Sequence, residues 1–289
     1  MDENSDGSVG SAGSTLAFSH HAMKTWWQVR ISGEEEVYAA QAAHAVFFIT
    51  DRVESLMSRF REDSEIACIA QLPPGGRQRI SHDVFECLSL ALEIQGATKG
   101  AFDVAASLGN VGNGGPGWSL DDSSHVLVIG EAPLRIDLGA IAKGFALDKM
   151  AEELEEWGLN RFLLMSSGSS ILAGDPPLGE EGWSVRLGGN ADVGEVKLRR
   201  MALGTSGFAM KGSHIVNPAT REPSSRYERS WAVAASAAEA DALSTSWMNM
   251  EWDDIVHCCM ARKAGACVLD PGGQIRESGL SGLLKRNTA

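Results

Sequence analysis

Asp241 and Thr245 are the residues of this sequence best suited to holding a metal ion. They lie four positions apart in a segment, residues 239–247, whose pattern predicts a helix, and residues four apart share one helix face. A carboxylate and a hydroxyl side by side are hard oxygen ligands of the kind that Mg²⁺ prefers. A purely structural alternative remains open, in which Asp241 complements the helix dipole and Thr245 bonds back to a carbonyl.

The sequence Asp-Leu-Gly-Ala-Ile-Ala-Lys-Gly at residues 137–144 predicts an anion site. A strand ends at Asp137, small residues follow, and a helix opens, so its free N–H groups face a ligand. Lys143 adds a positive charge suited to a phosphate. The alternative is an ordinary strand-to-helix turn with a capping Asp137 and a solvated Lys143. The glycine spacing of a Walker loop is absent.

Two further segments are weaker signals when each is taken alone. His214 precedes the turn at Pro218 and is a candidate general base near neutral pH, although the chain has seven histidines to choose from. Residues 98–103 are a second candidate site segment. Phe102 could instead be a simple core residue, and Asp103 a turn or cap residue.

The elements that would position these residues are a mixture of helices and strands. Helical spacing of apolar residues predicts helices over residues 34–60, 83–96, 142–157 and 239–247. Strands are predicted over residues 26–31, 125–129, 134–137, 161–165, 183–187, 193–198 and 230–236. The two types do not alternate strictly, which indicates the α+β class.

Composition limits the classes of function. The 289 residues carry a formal net charge of −13, which disfavours binding to nucleic acid. An anionic ligand would therefore need a metal ion, backbone N–H groups or a local lysine. The five cysteines lack the spacing of a disulfide framework or a zinc site.

The amino-terminal residues are rich in Ser, Gly and acidic side chains, so residues 1–19 are predicted to be a disordered tail before a single domain at 20–289. Neither a signal peptide nor a cysteine suited to lipid attachment is visible near the start, and no apolar stretch is long enough to span a membrane. These features favour a cytoplasmic location without a membrane anchor.

In their order and spacing, these segments resemble the ApbE-type family, the FAD:protein FMN transferases. Further pieces of the family pattern are His21-Ala-Met23, Met57-Ser-Arg-Phe60, Asp63-Ser-Glu-Ile66, Thr205-Ser-Gly207 and the Ser/Gly turn at residues 167–174. The resemblance covers about residues 20–250. It implies an α+β fold with a mixed sheet and two lobes, with the ligand cleft between the lobes.

The resemblance also implies roles for individual residues. FAD is the substrate, Mg²⁺ is the metal, and the partner is an acceptor flavoprotein whose Thr or Ser hydroxyl receives FMN while AMP leaves. His214 would be the base. By likeness to the family, the FAD-binding residues would be Met23, Phe60, Ala101, Phe102, Asp103, Asp137, Lys143 and His214, and the metal ligands would be Asp241, Thr245 and the carbonyl of Ala140.

The chain departs from the family pattern at a few positions and thereby leaves two other hypotheses open. Lys24 stands where the family usually has Gly, Ala70 and Asn217 where it has Asn and Asp, and Arg221 where it has Gly. A hydrolase would use the same residues and let water attack the phosphorus. A non-catalytic FAD-binding protein would bind FAD and release no AMP.

Overall fold

An antiparallel sheet of eight strands runs through the chain, seen in a computed structural model that describes residues 14–106, 117–188, 193–207 and 215–286. In spatial order its strands are β1 (Thr15–Ala22), β2 (Thr25–Ser32), β6 (Phe162–Ser166), β7 (Ser170–Ala173), β10 (Met201–Gly207), β11 (Arg229–Ala234), β12 (Gly265–Leu269) and β13 (Ile275–Ser278). Hairpin turns at residues 23–24 and 167–169 lie next to each other, because β2 pairs with both β1 and β6.

Two three-stranded sheets complete the β-structure. One has the order β14 (Leu284–Lys285), β9 (Gly194–Leu198), β8 (Trp183–Leu187), and the other has the order β3 (Arg77–Arg79), β5 (Val126–Ile129), β4 (Trp118–Asp121). Alternating side chains of β8 and β9 are buried, and they share one apolar core with residues of the large sheet. The opposite face of the large sheet packs in a second core with the helices.

The helices are α1 (Glu36–Met57), α2 (Glu65–Ile69), α3 (His82–Ala97), α4 (Ala142–Glu156), α5 (Ala237–Trp247) and α6 (Trp252–Arg262). Side chains accept hydrogen bonds from first-turn N–H groups in several of them, including Ser64, Ser81 and Ser236. In α1 the buried residues Ala39, Ala43 and Val46 recur at helical spacing, so one stripe of the helix enters the core.

Helix α5 is packed unusually close to both of its neighbours. A Cβ on Gly144 of α4 would lie 2.1 Å from the Ala237 carbonyl oxygen, and a Cβ on Gly204 of β10 would lie 2.3 Å from the Ala240 carbonyl oxygen. Only glycine allows these approaches. The two glycines therefore let α5 sit directly against α4 and the large sheet.

The structure confirms the predicted α+β class and the main predicted helices. It corrects the prediction at three points. Residues 134–137 form no strand; the Asp137 N–H donates a backbone hydrogen bond to the Val104 carbonyl at 2.8 Å. Strand β1 begins at Thr15, so residues 15–19 do not belong to a tail; the alternation of Leu16 and Phe18 with smaller residues is a strand signal, but a short one. Every pairing between described strands is antiparallel, because hairpins join many neighbours, whereas a mixed sheet was expected.

Candidate functional site

A single cleft of about 770 Å³ collects the candidate residues from distant parts of the chain. Its walls come from the β1–β2 hairpin, the segment after α1, residues 101–106, the turn before α4, the end of β10, and α5. The predicted site residues that line it are Met23, Phe60, Ala101, Phe102, Asp103, Asp137, Ala140, Lys143, Asp241 and Thr245. His214 lies outside the described residues, and its neighbour Ile215 lines the cleft.

Asp241 is the most enclosed carboxylate of the cleft, with 5 % of its surface exposed. Its Oδ2 accepts the N–H of Gly144 at 2.8 Å and the hydroxyl of Ser170 at 2.8 Å. Burial raises the pKa of Asp241 to about 6, although the positive charge of Lys143 acts in the opposite direction. The ionised form would therefore gain from a nearby cation.

Thr245 lies one helical turn after Asp241 and lines the same cleft. Its Oγ1 is 3.0 Å from the hydroxyl oxygen of Ser206, at the end of β10. Ala140, whose backbone carbonyl is the third predicted ligand, lines the cleft from the turn before α4. A carboxylate, a hydroxyl and a backbone carbonyl are all oxygen ligands, so these residues fit a hard divalent cation. Their binding of Mg²⁺ remains a prediction.

The turn at residues 137–143 is held by its own aspartate. Asp137 Oδ1 accepts the Gly139 N–H at 2.9 Å, and its Oδ2 pairs with Arg59 Nε at 3.0 Å. Helix α4 then begins without a side-chain cap, and Lys143 Nζ lies 3.4 Å from the Gly139 carbonyl. The N–H groups of Ala142 and Gly144 already donate to the Leu138 carbonyl and to Asp241, so the Lys143 ammonium is the group here best suited to an anion.

The cleft is locally rich in positive charge, although the whole chain is acidic. Among the described residues, the charged side chains that line it are Lys24, Arg59, Lys143, Arg229, Asp103, Asp137 and Asp241. The four basic groups outnumber the three carboxylates. This local balance suits a dinucleotide with two phosphates.

Phe60 carries a cation against its ring from each of two residues. Lys24 Nζ is 3.9 Å from the ring centroid and Arg59 Cζ is 4.1 Å from it. Phe60 itself is 62 % exposed at the edge of the cleft, with the two cations over its ring. Lys24 holds this place at a φ of 57°, a left-handed conformation that favours glycine.

The segment around Phe102 forms another part of the cleft. The Phe102 N–H donates to Thr98 Oγ1 at 3.2 Å, and Asp103 accepts the Ala105 N–H at 2.8 Å. Burial raises the pKa of Asp103, against the effect of that N–H group. Asn249 donates from Nδ2 to the Ala101 carbonyl at 3.3 Å, which joins this segment to the end of α5.

At two of the departures from the family pattern, Asn217 and Arg221, the structure shows a hydrogen-bonded turn. Arg221 adopts a φ of 61°, so the chain keeps a glycine-like conformation without glycine. Asn217 accepts the N–H groups of Ala219 at 2.9 Å and Thr220 at 3.4 Å, which stabilises the turn after Val216.

Sequence reasoning did not single out several residues that line the cleft. Arg59 is adjacent to the predicted Phe60, and its charge was the signal available. Ser206 lies inside the segment at residues 205–207 that was noted without a role. Ser170, which donates to the cleft residue Asp241, lies inside the turn at residues 167–174 that was also noted without a role. Asn249 gave no signal, because its contacts depend on the tertiary fold.

The sequence model described as the ApbE family matches residues 23–269, which is most of the chain. The chain belongs to the ApbE family. Two curated relatives are named FAD:protein FMN transferase. The one from Klebsiella pneumoniae is 24% identical over 266 residues, covering 78% of this chain and 76% of its own length. The one from Escherichia coli K12 is 24% identical over 268 residues with the same coverage.

Solved ApbE structures share the fold. The flavin transferase ApbE from Vibrio cholerae superposes with a TM-score of 0.82 at 20% identity, covering 94% of this chain and 100% of its own. The ApbE protein from Thermotoga maritima also gives 0.82, at 22% identity, covering 95% and 100%. These matches confirm the ApbE-type α+β architecture.

The described residues hold neither a metal-binding cluster of acidic, His or Cys side chains nor a membrane-spanning helix. No three His, Cys, Asp or Glu side chains lie close enough together there to hold a metal ion. The predicted ligand set contains one carboxylate and is not a cluster of that kind. None of the described helices combines the length and the apolar character needed to cross a bilayer.

Proposed function

We propose that this ApbE-family protein transfers FMN from FAD to a hydroxyl of an acceptor flavoprotein and releases AMP. The observation that carries the proposal is the single cleft, in which all the described candidate residues meet. The curated relatives named FAD:protein FMN transferase support the reaction class.

The residues that would hold Mg²⁺ are Asp241, Thr245 and the carbonyl of Ala140. When bound there, Mg²⁺ supplies positive charge that offsets the charge of the pyrophosphate oxygens. Support comes from the all-oxygen donor set and from the burial that raises the pKa of Asp241 to about 6.

The chain's own groups would orient the two halves of FAD. Lys143, at the start of α4, would bind the phosphates. Phe60 would contact the flavin side, and Phe102 with Asp103 would contact the adenosine side. Fixing the phosphorus near the incoming hydroxyl lowers the entropic part of the barrier.

The chemical step joins the acceptor to the FMN phosphorus. The oxygen of a Thr or Ser hydroxyl forms a bond to that phosphorus, and the bond from phosphorus to the bridging oxygen breaks. AMP leaves with that oxygen, and the hydroxyl proton passes to a base, for which His214 is the sequence-based candidate.

The test is incubation of the purified protein with FAD, MgCl₂ and a flavoprotein carrying an exposed Thr or Ser. We expect a fluorescent acceptor band on a denaturing gel and one AMP for each FMN attached. AMP without acceptor labelling would instead indicate the hydrolase. FAD binding without AMP under any divalent cation would indicate the non-catalytic protein.

Two finer statements stay predictions from the sequence. One is the single domain over residues 20–289, with β1 now included from Thr15. The other is a cytoplasmic location, which fractionation of the native host would test.

A further inference from the structure

The first turn of α5 is bound by a carboxylate from a different helix. Asp148 of α4 accepts the Ala237 N–H at 2.6 Å through Oδ1 and the Ala238 N–H at 2.9 Å through Oδ2. These N–H groups have no partner within their own helix. Each carboxylate oxygen thus holds one of the free donors of α5.

The local cap of α5 is a separate residue. Ser236 Oγ accepts the Glu239 N–H at 3.2 Å, as expected of an N-cap. Asp148 is therefore not needed to start the helix in the ordinary way. Its hydrogen bonds instead join two helices that each supply a residue to the cleft. Helix α4 supplies Lys143, and α5 supplies Asp241.

Asp148 and Gly144 lie four positions apart on one face of α4, and both contact α5. Gly144 allows the close approach to Ala237 and donates its N–H to Asp241 at 2.8 Å. The contact that orients the Asp241 carboxylate and the contact made by Asp148 are thus parts of one helix–helix junction.

We propose that Asp148 is a positioning residue that fixes α5 against α4 and thereby sets Asp241 and Thr245 relative to Lys143 across the cleft. Two hydrogen bonds to one rigid carboxylate oppose both sliding and rotation of α5. An amide of the same shape offers one acceptor oxygen, so one N–H would lose its partner. The kinetic consequence rests on the proposed function, whereas the structural consequence does not.

Burial makes the ionised form of Asp148 unfavourable, which argues against an incidental surface contact. Burial raises the pKa of Asp148 to about 7, and the nearby charges of Asp241 and Glu152 act in the same direction. An apolar side chain would avoid this cost but would leave both N–H groups without a partner.

The decisive probe is the Gly144 amide. As the third residue of α4 it has no partner within its own helix, so its protection from exchange reports the bond to Asp241. Hydrogen exchange of ¹⁵N-glycine-labelled protein, followed by NMR, measures this bond without FAD or metal. The variants are Asp148→Asn and the matched control Ser236→Ala, which removes a bond to the same first turn without touching α4.

At pH 8, where Asp148 is ionised, we expect Asp148→Asn to speed exchange at Gly144 by about tenfold, the equivalent of one net hydrogen bond, while Ser236→Ala leaves it unchanged. In turnover of FAD, kcat should fall in Asp148→Asn with a smaller change in KM, and both should stay near wild type in Ser236→Ala. Asp148→Ser takes the place of the asparagine variant if that variant does not fold.

Equal exchange at Gly144 in both variants and the wild type would overturn the proposal, as would equal acceleration in both. If the wild type releases no AMP, the proposed function fails, and the exchange comparison still decides the role of Asp148.

Discussion

The backbone N–H of Gly144 donates a 2.8 Å hydrogen bond to Oδ2 of Asp241, across 97 residues of sequence. The Ser170 hydroxyl donates to the same oxygen. Among the described residues, no hydrogen bond reaches the second carboxylate oxygen, Oδ1. One oxygen therefore orients the side chain, and the other is the one we expect to meet the proposed metal ion.

Gly144→Ala should destabilise the protein by about 1–3 kcal/mol, because the new Cβ would meet the Ala237 carbonyl at 2.1 Å and force α4 and α5 apart. FAD binding should weaken with it. Urea unfolding and fluorescence titration with FAD measure the two effects.

The matched control for that substitution is Gly96→Ala in α3, where a Cβ would meet nothing within 4 Å. It should be neutral or stabilise the protein by about 0.5–1 kcal/mol, because alanine favours a helix. Equal stability of the two variants would contradict the close packing of α4 on α5.

Asp241→Asn should abolish the dependence of FAD binding on Mg²⁺ while the protein still folds. The amide keeps the size of the side chain but lacks the charge that a divalent cation requires. FAD titrations with MgCl₂ and with EDTA measure the effect. Asp254→Asn is the control, since it removes one charge from an exposed pair with Lys99. A variant at Asp241 that still responds to Mg²⁺ would remove this residue from the metal site.

Much of the candidate site could be predicted from local patterns in the sequence. The four-residue spacing of Asp241 and Thr245 predicts a shared helix face, and the structure places both in the cleft. Likewise, small residues followed by Lys143 predict a helix start, and α4 begins at Ala142. These features depend on periodicity within one element, which is present in the sequence itself.

Contacts between segments that are distant in sequence could not be predicted from these local patterns. The pair of Arg59 with Asp137 and the contact of Ser206 with Thr245 join elements far apart in sequence. Residues 134–137 have the composition of a strand, yet they pair with no strand among the described residues. Pairing depends on which backbone lies alongside, and composition does not specify it.

Lys24→Gly should weaken FAD binding by about two- to fivefold at low salt, because a cation is lost from the cleft. The backbone there already has a φ of 57°, so glycine fits without strain. Lys99→Gly is a matched control, since Lys99 also has a positive φ, of 52°, but pairs with Asp254 on the surface. High salt should reduce the difference between the variants. Equal affinities at low salt would exclude Lys24 from FAD binding.

Asp148 should give the stability of the protein a measurable dependence on pH. Burial raises its pKa from 3.8 to about 7, so between these values the folded state holds a proton that the unfolded state has lost. The free energy of unfolding therefore falls as pH rises through this window, and the contribution is fully present only below it. Glu86, Lys149 and Glu152 line the same groove and stay unchanged in the variant.

Asp148→Asn lacks this titration, so its stability relative to wild type should improve by on the order of 2–3 kcal/mol between pH 5 and pH 8. Urea unfolding of both proteins at the two pH values measures the change, which includes the repulsion between Asp148 and Asp241. In Asp254→Asn the relative stability should not improve as pH rises, because Lys99 holds the pKa of Asp254 below its usual value. A constant difference between wild type and Asp148→Asn would mean that the carboxylate is ionised throughout, with its two N–H donors outweighing the effect of burial.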